Sequence, residues 1–152
     1  CKRITGKYGP KCWQHTMLQD HVKIVPEPGK GLGLQATADI PKGKMISRYR
    51  GTVRSLTQKR TDSGYELEAA RFIDGKKRSR IIDGAKTNSS IARYANDCKR
   101  PNQKHSTPLQ CNSRFAENMQ AGNWQDVISL KAQKKIKKGK FINVSYGKEY
   151  FT

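Results

Sequence analysis

The amino-acid sequence predicts a mostly β protein with one domain. Three observations carry this prediction: apolar and polar residues alternate over many short stretches, glycine and proline turns separate these stretches, and no long amphipathic helical pattern occurs. A chain of 152 residues is long enough for one domain with a real hydrophobic core. We place this domain at residues 21–152, after a basic, turn-rich extension over residues 1–20.

Strand-like alternation recurs along the domain, and turn signals bound most of the stretches. The expected strands cover residues 22–25, 45–50, 65–69, 71–73, 80–82, 109–115, 124–132 and 141–146. We expect Pro26 and Pro28 to end the first strand, because proline has no N–H to donate to a neighbouring strand. Asp-Gly pairs at 74–75 and 83–84 predict tight turns. The polar residues 55–64 predict a loop or a short helix.

Three glycines stand at alternate positions in the stretch Gly29-Lys30-Gly31-Leu32-Gly33-Leu34. Glycine lets a backbone approach another group closely, because it has no β-carbon. A dinucleotide-binding fingerprint would need a different glycine spacing and a helix that opens directly after it. No helix is predicted after this stretch, so the residues alone favour a glycine-rich hairpin.

A second motif runs from Ser89 to Asn102 and joins an apolar run to a polar end. Residues 91–95 are mostly apolar, Asn96 and Asp97 follow them, and Pro101 stops the turn. An amide and a carboxylate at the edge of a core can hold a polar ligand. They can also cap a turn, and this stretch taken alone favours capping.

The charge balance is strongly basic, with 31 Lys and Arg against 12 Asp and Glu and a formal net charge of +19. Such a surface attracts phosphate backbones or acidic surfaces; the alternative is a solvated basic face without a dedicated partner. No apolar run approaches the length of a membrane span and no signal peptide is visible, so we expect a soluble protein. A start at Cys1 rather than methionine is consistent with a fragment of a longer protein.

Four cysteines occur, at positions 1, 12, 98 and 111. They lack the CxxC spacing and the histidine companions of a four-ligand zinc site, so we expect no metal. Two disulfides are conceivable. We nevertheless expect free thiols, because a chain of this size does not need disulfides and nothing marks it as secreted.

Four groups of residues follow one another in an order typical of one known family. They are Lys30-Gly31-Leu32-Gly33 with Ala36 and Ile40-Pro41-Lys42-Gly43; Tyr49-Arg50-Gly51; Ile82-Asp83-Gly84 with Ala92-Arg93-Tyr94-Ala95-Asn96-Asp97 and Pro101-Asn102; and Ile136-Lys137-Lys138-Gly139 with Ser145-Tyr146-Gly147. Each group alone is a glycine turn or a strand edge. In this order, over residues 22–151, they resemble a SET domain, the fold of a large family of protein-lysine methyltransferases.

The resemblance implies small sheets around a knot-like crossing of the C-terminal segment, which brings Asn96-Asp97 to Tyr146. The sequence departs from the family pattern at Asp97, where histidine is usual, and at Arg48, where an acidic residue is common. The cysteine-rich segment that binds zinc in some members does not appear. The ending from Tyr146 to Phe151 instead resembles members that finish the pocket with aromatic residues.

The resemblance also implies a reaction, in which a methyl group moves from S-adenosylmethionine to a lysine amine. It places Tyr146 at the transfer site and Tyr49 and Tyr65 beside the lysine channel; the alternative for each is a half-exposed strand tyrosine. Cofactor contacts are implied for Lys30, Gly31, Leu32, Gly33, Arg93, Tyr94, Asn96 and Asp97. The alternative to adenine stacking by Tyr150 or Phe151 is a buried aromatic without a ligand.

Two further positions, Val144 and His105, correspond to those that narrow the lysine channel in the family. Because valine is small, we expect more than one methyl group to be added. Histone tails are basic, so a charge of +19 would repel a free tail. We therefore expect the substrate lysine on a nucleic-acid particle in the nucleus, with histone in a nucleosome first and a ribosomal or other nucleic-acid-bound protein second.

The competing hypothesis is a catalytically inactive SET-fold module that binds chromatin or nucleic acid. Asp97 and Arg48 favour it, because both depart from the family pattern. Tyr146, Asn96 and the intact glycine turn argue against it, since an inactive module has no need to keep all three.

Overall fold

A computed structural model of the chain describes residues 21–57, 64–98 and 110–146. Its strands are β1 (Val22–Glu27), β2 (Gly31–Ala36), β3 (Met45–Arg48), β4 (Thr52–Arg54), β5 (Glu66–Ile73), β6 (Lys76–Asp83), β7 (Ser113–Glu117) and β8 (Ile128–Ala132). Short 3₁₀ turns cover Ile91–Tyr94 and Trp124–Asp126. None of the described helical turns is long and apolar enough to cross a membrane. The prediction of a mostly β fold is confirmed.

The strands form three small antiparallel sheets, with the orders β1-β2, β3-β8-β7 and β4-β6-β5. The first sheet is the predicted glycine-rich hairpin, and Gly29 adopts a φ of 76° in its turn. Pro26 does not end β1, since the strand continues to Glu27 with Pro26 opposite Leu32, but the strand does end directly before Pro28. Among the described strands β1 pairs with β2 alone, so its other edge needs no N–H donors. A proline can therefore lie within β1.

The third sheet contains a long hairpin, in which β5 and β6 pair over eight residues. Asp74 and Gly75 have φ values of 52° and 76°, the positive values that a tight hairpin turn requires, so this turn prediction is confirmed. The second predicted turn, at Asp83-Gly84, is wrong. Asp83 still belongs to β6 and lies opposite both Thr52 and Glu66, because β5 pairs along the full length of β6 and β4 pairs with its last three residues.

The C-terminal segment 141–146 does not form the predicted regular strand. It makes isolated bridges and takes its hydrogen bonds from partners on different elements. The Ile142 N–H donates to the Leu34 carbonyl at 2.7 Å, and the Val144 N–H donates to the Asn96 carbonyl at 3.0 Å. The segment therefore runs between β2 and the loop after the first 3₁₀ turn, and it does not pair with a single strand along its length.

The start of β7 holds the same segment from another side. The side chain of Asn112 donates to the Phe141 carbonyl at 2.8 Å and accepts from the Asn143 N–H at 2.8 Å. The Ser113 N–H donates to the Asn143 carbonyl at 3.1 Å. Strand β7 begins at Ser113 rather than at the predicted residue 109. Asn112, directly before β7, and Ser113 at its start thus fasten the C-terminal segment.

The hydrophobic core draws on all three sheets and on the C-terminal segment. Its largest fully buried side chains include Tyr49, Phe115, Leu34, Ile82, Leu130 and Ile142. Tyr49 follows β3, Phe115 lies on β7, and their rings meet edge to face at 5.3 Å. Tyr146 also packs on this core, so its side chain is anchored by packing as well as by a hydrogen bond.

Cys98 and Cys111 form a disulfide, with their α-carbons 5.4 Å apart. The prediction of free thiols is wrong for this pair. The fold brings Cys111 back to Cys98 after thirteen residues, and the sequence alone did not indicate that the two are close in space. The α-carbon distance is ordinary for a disulfide. The bond ties the loop after Asp97 to the residues before β7. Cys1, Cys12 and the extension 1–20 lie outside the described residues.

Candidate active site

A pocket of about 240 Å³ opens between the first 3₁₀ turn and the end of the C-terminal segment. Its walls are formed by Gly64, Tyr65, Arg93, Ala95, Asn96, Asp97 and Tyr146. Five of these are predicted site residues, drawn from three separate parts of the chain. The structure therefore brings Asn96 and Asp97 together with Tyr146, as the resemblance implies.

Tyr146 spans the gap between these two parts of the chain. Its hydroxyl donates to the Ala95 carbonyl at 2.9 Å, and its ring lies 5.3 Å from the Phe115 ring, edge to face. Burial is the main cause that raises the pKa of Tyr146, and the neighbouring Tyr65 raises it further. The hydroxyl is therefore a protonated hydrogen-bond donor at neutral pH.

Tyr49 does not line this pocket. Its side chain is fully buried, and its hydroxyl donates to the Tyr65 carbonyl at 2.6 Å. Burial first, and then Tyr146, raises the pKa of Tyr49 far above its ordinary value. In the described part of the site, Tyr49 holds the backbone of Tyr65 in place, and Tyr65 is the tyrosine that forms the wall.

Gly84 provides the space that Tyr49 occupies. A β-carbon at Gly84 would lie 2.7 Å from the Tyr49 hydroxyl oxygen and 2.9 Å from the ring carbon that carries it. No side chain fits there without moving Tyr49 and, through its hydrogen bond, Tyr65. Gly84 also donates its N–H to the Tyr65 carbonyl at 3.0 Å, so both contacts fix the same wall of the pocket.

We expect Gly84→Ala to lower the free energy of unfolding by about 1–3 kcal/mol, because the added methyl group overpacks a closed site. For a chain of this length that corresponds to roughly 2–4 °C in melting temperature for each kcal/mol. Thermal unfolding followed by circular dichroism measures the change. The control is Gly122→Ala, since a β-carbon at Gly122 would meet nothing within 4 Å. Equal melting temperatures for the two variants would contradict the packing argument.

Arg93 forms a buried positive wall of the pocket. Its guanidinium donates to the Gly84 carbonyl at 2.7 Å and to the Ala85 carbonyl at 3.1 Å. It also lies 4.3 Å from the centre of the Tyr65 ring and 4.8 Å from that of Tyr94. Backbone carbonyls and aromatic faces thus compensate the burial of this charge. These bonds orient Arg93 from the backbone of residues 84 and 85, while its predicted contact with a cofactor stays a prediction.

Asn96 connects the pocket to the glycine-rich hairpin. Its side-chain nitrogen donates to the Glu27 carboxylate and to the Leu32 carbonyl, both at 3.0 Å. Gly33 makes this approach possible, because a β-carbon there would lie 2.5 Å from that carboxylate and 3.2 Å from the Asn96 amide nitrogen. Lys30 adds a third link, since its ammonium group donates to the Asp97 carbonyl at 2.9 Å.

Sequence reasoning missed Glu27, which orients Asn96 and lies 3.8 Å from the Lys30 ammonium group. Its side chain is only 9% exposed, an unusual position for a glutamate unless it is paired. The available signal was a lone acidic residue between Pro26 and Pro28 at the start of the glycine turn. Phe115, which packs against both Tyr49 and Tyr146, was also missed and had no signal beyond its strand.

Several predicted site residues do not contact the described pocket. The Tyr94 hydroxyl donates to the Thr87 carbonyl at 2.7 Å, and Val144 is fully buried in the core. Gly31, with a φ of 74°, and the half-exposed Leu32 belong to the hairpin that contacts Asn96. Their direct contacts with a ligand stay predictions. His105, Tyr150 and Phe151 lie outside the described residues.

The family model of the SET domain matches residues 31–147, and the chain belongs to the SET-domain family. Among solved structures, the methyltransferase domain of human PR domain-containing protein 2 is similar with a TM-score of 0.64 and 21% sequence identity, over 90% of this chain and 84% of that one. The methyltransferase domain of human histone-lysine N-methyltransferase SETMAR is similar with a TM-score of 0.62 and 22% identity. That match covers 88% of this chain but only 46% of the other. No curated protein matches the chain.

Proposed function

We propose that this chain is a protein-lysine N-methyltransferase that uses S-adenosylmethionine. The observation that carries the proposal is the meeting of Tyr146 with the Ala95–Asp97 backbone across 51 residues of sequence, in one pocket with Tyr65 and Arg93. Membership of the SET-domain family supports the same reaction class. If Tyr65 and Tyr146 served only to stabilise the fold, they would not need a polar pocket between them.

The residues around Asn96 fit the amino-acid end of the cofactor. Its ammonium and carboxylate groups need acceptors and donors, which amide groups, a lysine and backbone carbonyls supply. Gly33, which has no side chain, leaves room for the Glu27 carboxylate beside the Asn96 amide. We place the cofactor contacts on the 30–33 turn, Arg93, Asn96 and Asp97. When bound, S-adenosylmethionine supplies an electrophilic sulfonium methyl group.

The pocket walls prepare a lysine amine for attack. A lysine attacks only as the neutral amine, and its ordinary pKa is about 10.4. The buried guanidinium of Arg93 and the aromatic walls disfavour a second positive charge, so the pKa of a bound lysine should fall. The Ala95 carbonyl and the Tyr146 hydroxyl can orient the amine, and alignment of the two reactants provides much of the acceleration.

Arg48, one of the two residues that favoured an inactive module, has a structural role. Its guanidinium donates to the Asp126 carbonyl at 2.8 Å and lies 3.5 Å from the Asp126 carboxylate. Arg48 therefore fixes β3 to the second 3₁₀ turn, and its presence in place of an acidic residue gives no argument for lost activity.

We propose a nuclear protein that methylates histone lysine within nucleosomes. The similarity to a domain of a histone-lysine N-methyltransferase and the net charge of +19 support this choice.

The test is transfer of a labelled methyl group to free histones and to reconstituted nucleosomes at 50 and 200 mM salt. We expect nucleosomes to be the better substrate, by about tenfold or more at low salt, because phosphates attract the basic surface and salt weakens that attraction. Equal rates on both substrates at both salt concentrations would contradict the choice of nucleosomes. Lack of transfer to any protein, despite cofactor binding measured by calorimetry, would contradict the enzyme.

A further inference from the structure

A second groove, of about 590 Å³, lies beside the turn that follows β8. Four of its nine lining residues are lysines, namely Lys134, Lys135, Lys137 and Lys140. No carboxylate lines it in the described part of the chain. All four lysines are exposed, so their charges face solvent and any partner that enters the groove. We call this feature the lysine groove.

The floor of the lysine groove is held in a fixed shape. Asn112 bonds to the backbone of Phe141 and Asn143 through both ends of its side chain, at 2.8 Å each. The backbone groups of Ile136 and Ile40 exchange hydrogen bonds at 2.8 and 2.9 Å, and the Ile136 side chain is buried. The turn that carries the lysines is thus anchored at its centre, and the charges stand on a preformed scaffold.

We propose that the lysine groove binds the phosphate backbone of double-stranded nucleic acid. Lysines are compact point charges that attract phosphates without reading sequence. Single-stranded nucleic acid is normally held by several stacked aromatic rings, whereas Phe141 is the one aromatic residue that lines this groove in the described chain. A groove with many lysines and no arginine lining it therefore fits a duplex backbone better than exposed bases.

The lysine groove lies close to the candidate active site along the chain. Asn143 lines the groove and Tyr146 lines the pocket, three residues further on. Three residues span at most about 11 Å, so a duplex in the groove would hold protein bound to that duplex near the transfer pocket. The inference that a bound duplex presents its protein to the pocket rests on the proposed methyltransferase function, and under that function the duplex is DNA. The binding of phosphates itself does not depend on that function.

The acidic residue beside the turn defines which lysines to test. Asp39 accepts a hydrogen bond from the Lys138 N–H at 2.9 Å, and its carboxylate lies 3.6 Å from the Lys135 ammonium group. Lys135 is therefore partly neutralised, and we leave it intact. The triple variant Lys134→Gln, Lys137→Gln and Lys140→Gln removes three charges and keeps every backbone hydrogen bond of the turn.

The control removes the same charge from a different exposed surface. The triple variant Lys76→Gln, Lys77→Gln and Arg78→Gln lies at the start of β6, where all three residues are exposed. Fluorescence anisotropy with a labelled 20-base-pair DNA duplex, over a salt series, measures the affinity of each protein. We expect the groove variant to bind at least about tenfold more weakly and its salt slope to fall by about 3, and the control variant to change far less.

Three results would overturn the proposal: equal losses in both triple variants, tighter binding of a single strand than of the duplex, or tighter binding of polyglutamate than of DNA. Equal binding of duplex RNA would support the groove and assign it to duplex phosphates in general. Tyr146→Phe distinguishes DNA binding by the lysine groove from the proposed methyl transfer, since we expect this variant to bind DNA as the wild type does. A groove variant that keeps its activity on free histones but loses its preference for nucleosomes would support the link between the two sites.

Discussion

Replacement of Tyr146 by phenylalanine is expected to reduce methyl transfer by about 10²-fold or more while the fold persists. The hydroxyl that donates to the Ala95 carbonyl is the one polar group of this side chain, and Tyr146 and Ala95 both line the pocket. Phenylalanine keeps the ring contact with Phe115 but cannot hold that carbonyl or an incoming amine in place. Loss of orientation of this kind costs about two orders of magnitude in rate. Single-turnover transfer of labelled methyl groups measures it.

The matched control is Tyr94→Phe. Its hydroxyl also donates to a backbone carbonyl, that of Thr87 at 2.7 Å, but outside the pocket. Both variants lose one hydrogen bond, worth about 1 kcal/mol of stability, so both should melt slightly lower. Only Tyr146→Phe should lose activity, because Tyr94→Phe keeps the ring implied for cofactor contact and removes only a hydroxyl that bonds to Thr87. Equal losses of activity in the two variants would show that the effect is general destabilisation and would remove Tyr146 from the transfer site.

The fold class was predictable from local patterns, because period-two alternation and turn residues act over a few positions. The β5-β6 hairpin shows this well, since the Asp74-Gly75 turn fixes its register. The C-terminal segment shows the limit. Residues 141–146 alternate like a strand, yet their hydrogen bonds go to Leu34, Asn96 and Asn112, which lie 29 to 108 residues away. Alternation indicates which side chains are buried but does not identify the partner of each backbone group.

The candidate site was predictable only where a motif carried it. Asn96, Asp97 and Tyr146 were identified together because the family motif joins them, and the structure places them around one pocket. The place of Tyr49 beside a lysine channel stays a prediction; its side chain is fully buried, and its hydroxyl donates to the Tyr65 carbonyl. Full burial of Tyr49 and only partial burial of Tyr65 depend on packing across sheets, which no local pattern reports. Glu27 was missed for the same reason, since its contact with Asn96 joins residues that are 69 positions apart.

The contact between Glu27 and Asn96 yields the second large expected effect. Asn96→Asp replaces the amide donor by a carboxylate of almost the same shape, 3.0 Å from the Glu27 carboxylate. The variant loses a hydrogen bond to a charged group, worth about 2 kcal/mol, and adds repulsion between like charges. We expect cofactor affinity, measured by calorimetry, to fall at least about tenfold, since tenfold corresponds to about 1.4 kcal/mol. Asn88→Asp, at an exposed position, changes the charge equally and should leave the affinity unchanged.

A compensating substitution tests the pair directly. With Glu27→Gln added to Asn96→Asp, the amide and the carboxylate exchange sides, so the hydrogen bond can form in the opposite direction. The rescue should be partial, because the Leu32 carbonyl, which accepts from Asn96 at 3.0 Å, still lacks its donor, and because the glutamate charge 3.8 Å from Lys30 is lost. A double variant no better than Asn96→Asp alone would show that Glu27 does not orient Asn96 for the cofactor. Recovery of affinity would make the buried glutamate a positioning residue of the site, although no family motif marks it.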